Sequence, residues 1–152
     1  MVIPIPFSQS ESAMNARGLL DTGAILAILN PRDRWHKRCT EAFELFRLPL
    51  ATTAAVLTEL FHLLGNHPLD VAAAWHFLHA GAVTVLPITD ADLPDLDRLM
   101  KRYADRPMDF ADATLVHIAK RESLTTIFTI DHNDFETYRI EGKRKFRIVP
   151  VR

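Results

Sequence analysis

Asp109 and Asp112 stand three residues apart in Pro107-Met108-Asp109-Phe110-Ala111-Asp112-Ala113-Thr114-Leu115-Val116, where an apolar helical pattern begins. That spacing puts both carboxylates on one helical face, about one turn apart. At ~4 Å and an effective dielectric of about 20, two such charges repel by roughly 4 kcal/mol. A fold keeps such a pair when water solvates it or when a cation sits between the charges. Three more acids are placed where they can join. Asp21 follows directly on the apolar run Gly18-Leu19-Leu20. Asp131 follows Thr126-Ile127-Phe128-Thr129-Ile130, a run rich in β-branched and aromatic residues. Glu59 stands among apolar neighbours in Ala55-Val56-Leu57-Thr58-Glu59-Leu60-Phe61. Each acid also has a plainer explanation. An aspartate after a strand is a common turn residue or helix N-cap, Asp109 alone reads as an N-cap, and a glutamate flanked by apolar residues can mark a helix edge. What favours a shared pocket is that all five fall at strand ends or early in helices.

The elements that must position these acids alternate. Strands are predicted at 18–20, 48–52, 83–86, 126–130 and 145–150. Helices are predicted from Thr22 to Leu29, stopped by Asn30-Pro31, and after Asp33 as N-cap, with Trp35, Cys39, Ala42, Phe43 and Phe46 on one stripe. A third helix follows Thr53 and closes at Gly65-Asn66; a fourth runs from Pro68 or Leu69 to His79. A fifth follows Asp90 as cap, carrying Leu93, Leu96, Leu99, Met100 and Tyr103, and a sixth runs from Asp109 to about Arg121. Such alternation implies βα units: an α/β fold with a central, mostly parallel sheet of four to five strands covered by helices on both faces. In such sheets ligands collect beyond the carboxyl ends of the strands, where strand order reverses. Asp21 and Asp131 would both be delivered there.

A chain of 152 residues, 48% hydrophobic, suits one domain with a sizeable core. Residues 1–16, with Pro4, Pro6 and the polar run Ser8–Ser12, read as a loose leader before a domain at 17–152, and Met14 is a candidate natural start. The leader lacks the basic and apolar regions of a secretory signal, and no apolar run approaches the roughly 18 residues of a bilayer span. Cys39 is the only cysteine, which rules out an internal disulfide and a cysteine-based zinc site and points to a reducing, cytoplasmic setting. The net charge of −1 argues against holding nucleic acid by bulk charge. Charge is nevertheless uneven. Residues 139–152 carry Arg139, Lys143, Arg144, Lys145, Arg147 and Arg152 against Glu141 alone, and Arg32, Arg34, Lys37 and Arg38 form a second basic run. Each run is either a solvated surface or a phosphate-facing patch.

Leu19-Leu20-Asp21-Thr22, Thr58-Glu59-Leu60, Asp109-Phe110-Ala111-Asp112-Ala113 and Thr129-Ile130-Asp131-His132-Asn133-Asp134-Phe135 resemble the four acidic motifs of the PIN domain, and more narrowly those of the single-domain VapC-type toxins. The match spans roughly residues 18–150, with the motifs in family order. The resemblance implies a PIN-like three-layer α/β/α fold and a metal-dependent endoribonuclease, the toxin of a toxin–antitoxin pair. It implies that Asp21, Glu59, Asp109 and Asp112 bind Mg²⁺ or Mn²⁺, with Asp131 a more variable member, and that Thr22 and Thr129 orient acids or metal-bound water. Asp134 is expected to be structural, capping the turn. RNA contacts are expected from Arg139, Lys143, Arg144 and Lys145. The implied partners are RNA, a small antitoxin and a second copy of the chain. The stripes of Trp35 with Phe43 and of Phe61 with Leu64 are candidate partner faces, although the same pattern suits a core.

Other readings fit less well. Asp21-Thr22-Gly23 also resembles the signature of retroviral-type aspartic proteases, which are all-β and glycine-rich, whereas this chain has five glycines and a helix starting at this point. A haloacid-dehalogenase site would need an aspartate where Gly23 stands. The seven histidines contain no His-Glu-x-x-His pattern and read as partly exposed helix residues, His132 being the one best placed to touch substrate. The non-enzymatic alternative is a PIN-like module that only binds RNA or protein.

Overall fold

The computed structural model describes residues 16–46 and 49–152. Residues 1–15, and with them the expected leader and Met14, lie outside the described residues, as does Leu48 of the second expected strand. Ala16 is already buried in the core.

Five short strands form one sheet in the order β3-β2-β1-β4-β5: β1 Leu19–Leu20, β2 Leu50–Thr52, β3 Val83–Val85, β4 Thr126–Phe128 and β5 Arg147–Val149. All four pairings are parallel, with Leu19 opposite both Ala51 and Ile127. The central strands β2, β1 and β4 are buried along their whole length, as a parallel sheet covered on both faces requires. Helices flank the sheet: α1 Thr22–Leu29, α2 His36–Leu45, α3 Ala54–Leu64, α4 Pro68–His79, α5 Leu93–Arg102, α6 Phe110–Arg121 and α7 His132–Thr137. The chain is thus an α/β/α layered domain. Strand order runs outward from β1 in one direction to β3 and in the other through β4 to β5, so it reverses between β1 and β4. Among the described residues no helix is long and apolar enough to cross a membrane.

The helix starts follow from local chemistry. Asp21 accepts from the Thr22 N–H at 2.8 Å and Thr53 accepts from the Val56 N–H at 3.4 Å, each satisfying an otherwise orphan donor. Gly65, at φ 69°, ends α3 in a backbone region that disfavours other residues. Phe43, from the first candidate partner stripe, faces inward against Phe77 and Phe128, while Phe61 packs on Trp75. Cys39 is fully buried, and burial pushes its thiol up to about 11.

Four local expectations are corrected. Asp33 does not cap α2: its carboxylate accepts from the Trp35 N–H at 2.7 Å, closing a turn that precedes the helix. Asp90 does not cap α5: Thr89 opens a 3-10 turn over Asp90–Asp92 through a reciprocal capping box with Asp92. The strand expected to reach Ile130 ends at Phe128, because Thr129 turns its side chain to the acids. A short helix, α7, occupies what reads in sequence as a turn.

Asp92 accepts from His117 Nε2 at 2.8 Å and from Arg121 Nη1 at 3.2 Å, and Arg121 also donates to the Pro87 carbonyl. His117, like His132, is buried, against the expectation of partly exposed histidines. Burial opposes ionisation of Asp92, but the Thr89 N–H, His117 and Arg121 outweigh it and lower its carboxyl to about 2. A depressed folded-state pKa stabilises the fold above about pH 4 and loses that contribution as pH falls towards about 2. Asp92→Ala should therefore cost on the order of 2 kcal/mol at pH 7, because it leaves the buried His117 without its acceptor and removes one of the partners of Arg121. Chemical denaturation at pH 7 and at pH 2 should show that difference at the higher pH only.

Candidate active site

Asp21 is the last residue before α1, at the carboxyl end of the central strand, and is 6% exposed. One oxygen accepts from the Thr22 N–H at 2.8 Å and the other from the Thr129 hydroxyl at 2.7 Å. Burial raises its carboxyl to about 6 against these bonds, with the negative charges of Glu59 and Asp131 adding to the rise. Thr129 also accepts from the Asp131 N–H at 3.0 Å, so one hydroxyl ties together the acids following β1 and β4. Thr22, by contrast, turns its hydroxyl to the Val56 carbonyl at 3.3 Å and acts on Asp21 through its main-chain N–H.

Asp109 caps α6, one oxygen accepting from the Asp112 N–H at 2.8 Å. Asp112 lies in the first turn, partly buried, and accepts from the Tyr138 hydroxyl at 3.2 Å. Burial, then the charges of Asp21 and Asp109, raise its carboxyl to about 8; the Tyr138 bond opposes the rise. The same surroundings push the Tyr138 phenol up. The five acids thus share one negative field at the point where strand order reverses. Asp112 responds to Asp21, Asp109 and Asp131, and Asp21 to Glu59 and Asp131.

The turn cap expected of Asp134 is made instead by Asp131, whose charge also acts on Asp21 and Asp112. Asp131 caps α7 by accepting from the Asp134 N–H at 3.2 Å. Asp134 caps nothing; its carboxylate meets Arg106 at 3.3 Å. Burial and the nearby Asp131 raise the Asp134 carboxyl, with Arg106 opposing.

Two clefts flank the acids. One, of about 820 Å³, is mainly apolar and runs past Glu59 and Asp109 between α3, the end of β3 and Phe110 at the start of α6. The other, of about 540 Å³, runs from Asp131 and His132 to Arg34, Trp35 and Arg38. The basic residues expected to meet substrate line neither. Arg139 spends its guanidinium on the carbonyls of Glu136, Thr137 and Tyr138. Lys143, Arg144 and Lys145 are exposed on a turn whose start, Glu141-Gly142, borders α5 and the second half of α6. Tyr138 reaches Asp112 across 26 positions, so no local spacing in the sequence marks it as part of the site.

Among the described residues no three or more acids, histidines or cysteines stand close enough together to hold a metal ion as their side chains lie. The donor set nevertheless fits Mg²⁺ or Mn²⁺. All donors are hard oxygens, two of the carboxyls are raised by burial and then by neighbouring acids, and Mg²⁺ keeps most of its own waters while touching one or two carboxylates. Asp21, Glu59, Asp109 and Asp112, with Asp131, are the residues that could hold it.

Thr129→Val keeps the side-chain shape and removes both the donor to Asp21 and the acceptor for the Asp131 N–H. It should cost about 1–2 kcal/mol of stability and roughly tenfold in activity. Unchanged activity in a folded variant would show that the bridge does not position the acids.

Three comparisons bear on this geometry. A model of the PIN domain matches residues 18–141. Ribonuclease VapC26 of Mycobacterium tuberculosis (strain ATCC 25618 / H37Rv) is 27% identical over 134 residues, covering 87% of this chain and 99% of that protein. The crystal structure of Mycobacterium tuberculosis VapC20, a Sarcin-Ricin loop cleaving toxin, superposes with a TM-score of 0.67 at 24% identity, covering 76% of this chain and 90% of that one.

Proposed function

The chain belongs to the PIN domain family, and from that premise we propose that it is a metal-dependent endoribonuclease, the toxin of a VapBC-type toxin–antitoxin pair. The observation that carries the reading is the gathering of acids from four places in the chain at the switch point between β1 and β4, with Asp21 raised by burial and by the charges of Glu59 and Asp131, and Asp112 by burial and by the charges of Asp21 and Asp109. Similarity to Ribonuclease VapC26 along nearly the whole of both chains supports RNA as the substrate.

The chain's own residues have separable roles. Thr129 and the Thr22 N–H orient the two oxygens of Asp21, Tyr138 orients Asp112, and the start of α6 holds Asp109. Together they hold fixed oxygens towards the place where an RNA phosphodiester must lie. When bound, Mg²⁺ or Mn²⁺ would supply charge neutralisation at the scissile phosphate and a water of lowered pKa, which attacks phosphorus once it has lost a proton. The products are a 3′-hydroxyl and a 5′-phosphate. The partners in this reading are a small antitoxin and a second copy of the chain, and the setting is the cytoplasm.

Incubation of purified protein with single-stranded RNA tests the reading. Cleavage is expected with Mg²⁺ or Mn²⁺ and is lost on adding EDTA. RNA binding without cleavage in either metal would leave the binding-only module as the better account. A short open reading frame for a DNA-binding protein immediately upstream of the gene is the expected genetic context.

A further inference from the structure

The cleft on the Asp131 side contains an arrangement that the acid cluster does not use. Trp35 stacks on His132, with ring centroids 5.2 Å apart and planes inclined by 29°. His132 is itself fixed: its ring nitrogens lie 3.1 Å from the Ile130 carbonyl oxygen and 2.7 Å from that of Pro150. The guanidinium carbons of Arg34 and Arg38 lie 5.8 Å and 5.4 Å from the Trp35 ring centroid, within cation–π range. Both arginines are exposed, and among the described residues neither pairs with a carboxylate. On the same wall, Arg152 is partly neutralised by Glu136 at 3.6 Å.

Two cations side by side repel, and flexible side chains lose entropy when ordered. Here the indole draws both guanidinium groups to one place and leaves their donors pointing at solvent. Planar guanidinium forks suit phosphate oxygens. An RNA strand must approach a cluster of carboxylates that repels it, so an adjoining ordered pair of positive charges is where its next phosphate can be held.

We propose that Arg34 and Arg38, ordered over Trp35, form a phosphodiester subsite that holds the RNA strand on the Asp131 side of the acid cluster. Trp35 is a positioning residue, acting through the two arginines, and His132 fixes Trp35. The proposal rests on the nuclease reading for its substrate and replaces the 139–145 run as the main contact with the RNA backbone.

The test measures binding of a short single-stranded RNA to full-length protein carrying Asp109→Asn, by fluorescence anisotropy across a salt series. Cleavage by the otherwise wild-type protein is followed in parallel. Arg34→Ala with Arg38→Ala should weaken binding about tenfold or more and make the slope of log K against log salt shallower by about 1.4, the share of two single-strand phosphates. In the cleavage assay KM should rise with little change in kcat. Trp35→Leu should give a smaller loss in the same direction, and Trp35→Phe should recover most of it, as a merely structural role would not. Arg98→Ala, a remote exposed arginine paired with Asp95, should change neither quantity.

Unchanged KM and salt slope in the double variant, while the wild type cleaves, would overturn the subsite and leave the nuclease reading intact. The subsite is equally overturned if that variant loses binding to a polyglutamate peptide but not to RNA. No cleavage by the wild type, with RNA affinity still falling in the double variant, would keep the subsite and overturn the nuclease reading. Absence of both cleavage and binding would overturn both.

Discussion

Asp109→Asn removes cleavage, by about 10²- to 10⁴-fold in kcat/KM, while leaving the protein at least as stable as before. The two halves of this expectation have separate causes. Asp109 is exposed, and its structural duty is to accept the Asp112 N–H at 2.8 Å at the start of α6. An asparagine oxygen performs that duty about equally well, since both residues rank among the best N-caps. What asparagine cannot supply is negative charge. The substitution removes one carboxylate from the face shared with Asp112, which relieves repulsion in the free protein and deprives a divalent ion of a ligand. Cleavage kinetics and a thermal melt on the same preparation check both halves. A folded variant that cuts RNA at the wild-type rate would sink the assignment of the site.

The second large effect concerns the protein stripped of divalent ions. Burial and neighbouring acids raise Asp112 to about 8 and Asp21 to about 6, against 3.8 for an ordinary aspartate. A carboxyl with a raised folded-state pKa keeps its proton longer in the native state than in the unfolded chain. Between about pH 4 and pH 8 the native state therefore binds more protons, and stability falls as pH rises. With EDTA present, the protein should melt lower at pH 8 than at pH 5, and added Mg²⁺ should reverse the loss by binding the native state alone. Asp112→Asn should raise the metal-free melting temperature at pH 8 by roughly 5–10 °C, equivalent to about 2–3 kcal/mol, with a clearly smaller rise at pH 5, where the unfolded aspartate is ionised and the folded one is not. An amide at this position can still accept from the Tyr138 hydroxyl, so the comparison isolates the charge. Equal melting of the two proteins at pH 8 without metal would mean that Asp112 carries no uncompensated charge.

The sequence located the elements well where the signal is local. Alternating apolar runs gave five strands in the right places, Thr53 caps the helix it was expected to cap, and Asp21 and Asp109 make the N-cap bonds that the plainer explanation of each allowed. Capping is an interaction of a residue with N–H groups at most three positions away, so it is written in adjacent letters. The misses have equally definite causes. At six residues, α7 is too short for helical periodicity to show, so the cap expected of Asp134 is made by Asp131. At Asp90 the cap falls one residue earlier, on Thr89, because its partner Asp92 is held from the far side by His117 and Arg121 on α6.

Gly23 shows how a distant neighbour decides what a local motif means. In Asp21-Thr22-Gly23 it suggests a protease turn, but it lies inside α1. A Cβ there would fall 2.7 Å from Cγ1 of Ile130. The missing side chain lets the first turn of α1 close against the loop that carries Thr129 and Asp131.

By itself the sequence determined which residues could bind a hard cation, the α/β order of elements that carries them, and a family motif set spread over most of the chain. Those properties reside in residue type and short-range spacing. Only the tertiary structure decided which groups steer the acids and which cations adjoin them. It brought Thr129 to Asp21 across 108 positions, Tyr138 to Asp112 across 26, and His132 of α7 against Trp35. It also put the 139–145 run outside both flanking clefts while placing Arg34 and Arg38 in one of them. Those pairings depend on strand order and on the packing of helices against the sheet, which set long-range distances that no local spacing encodes.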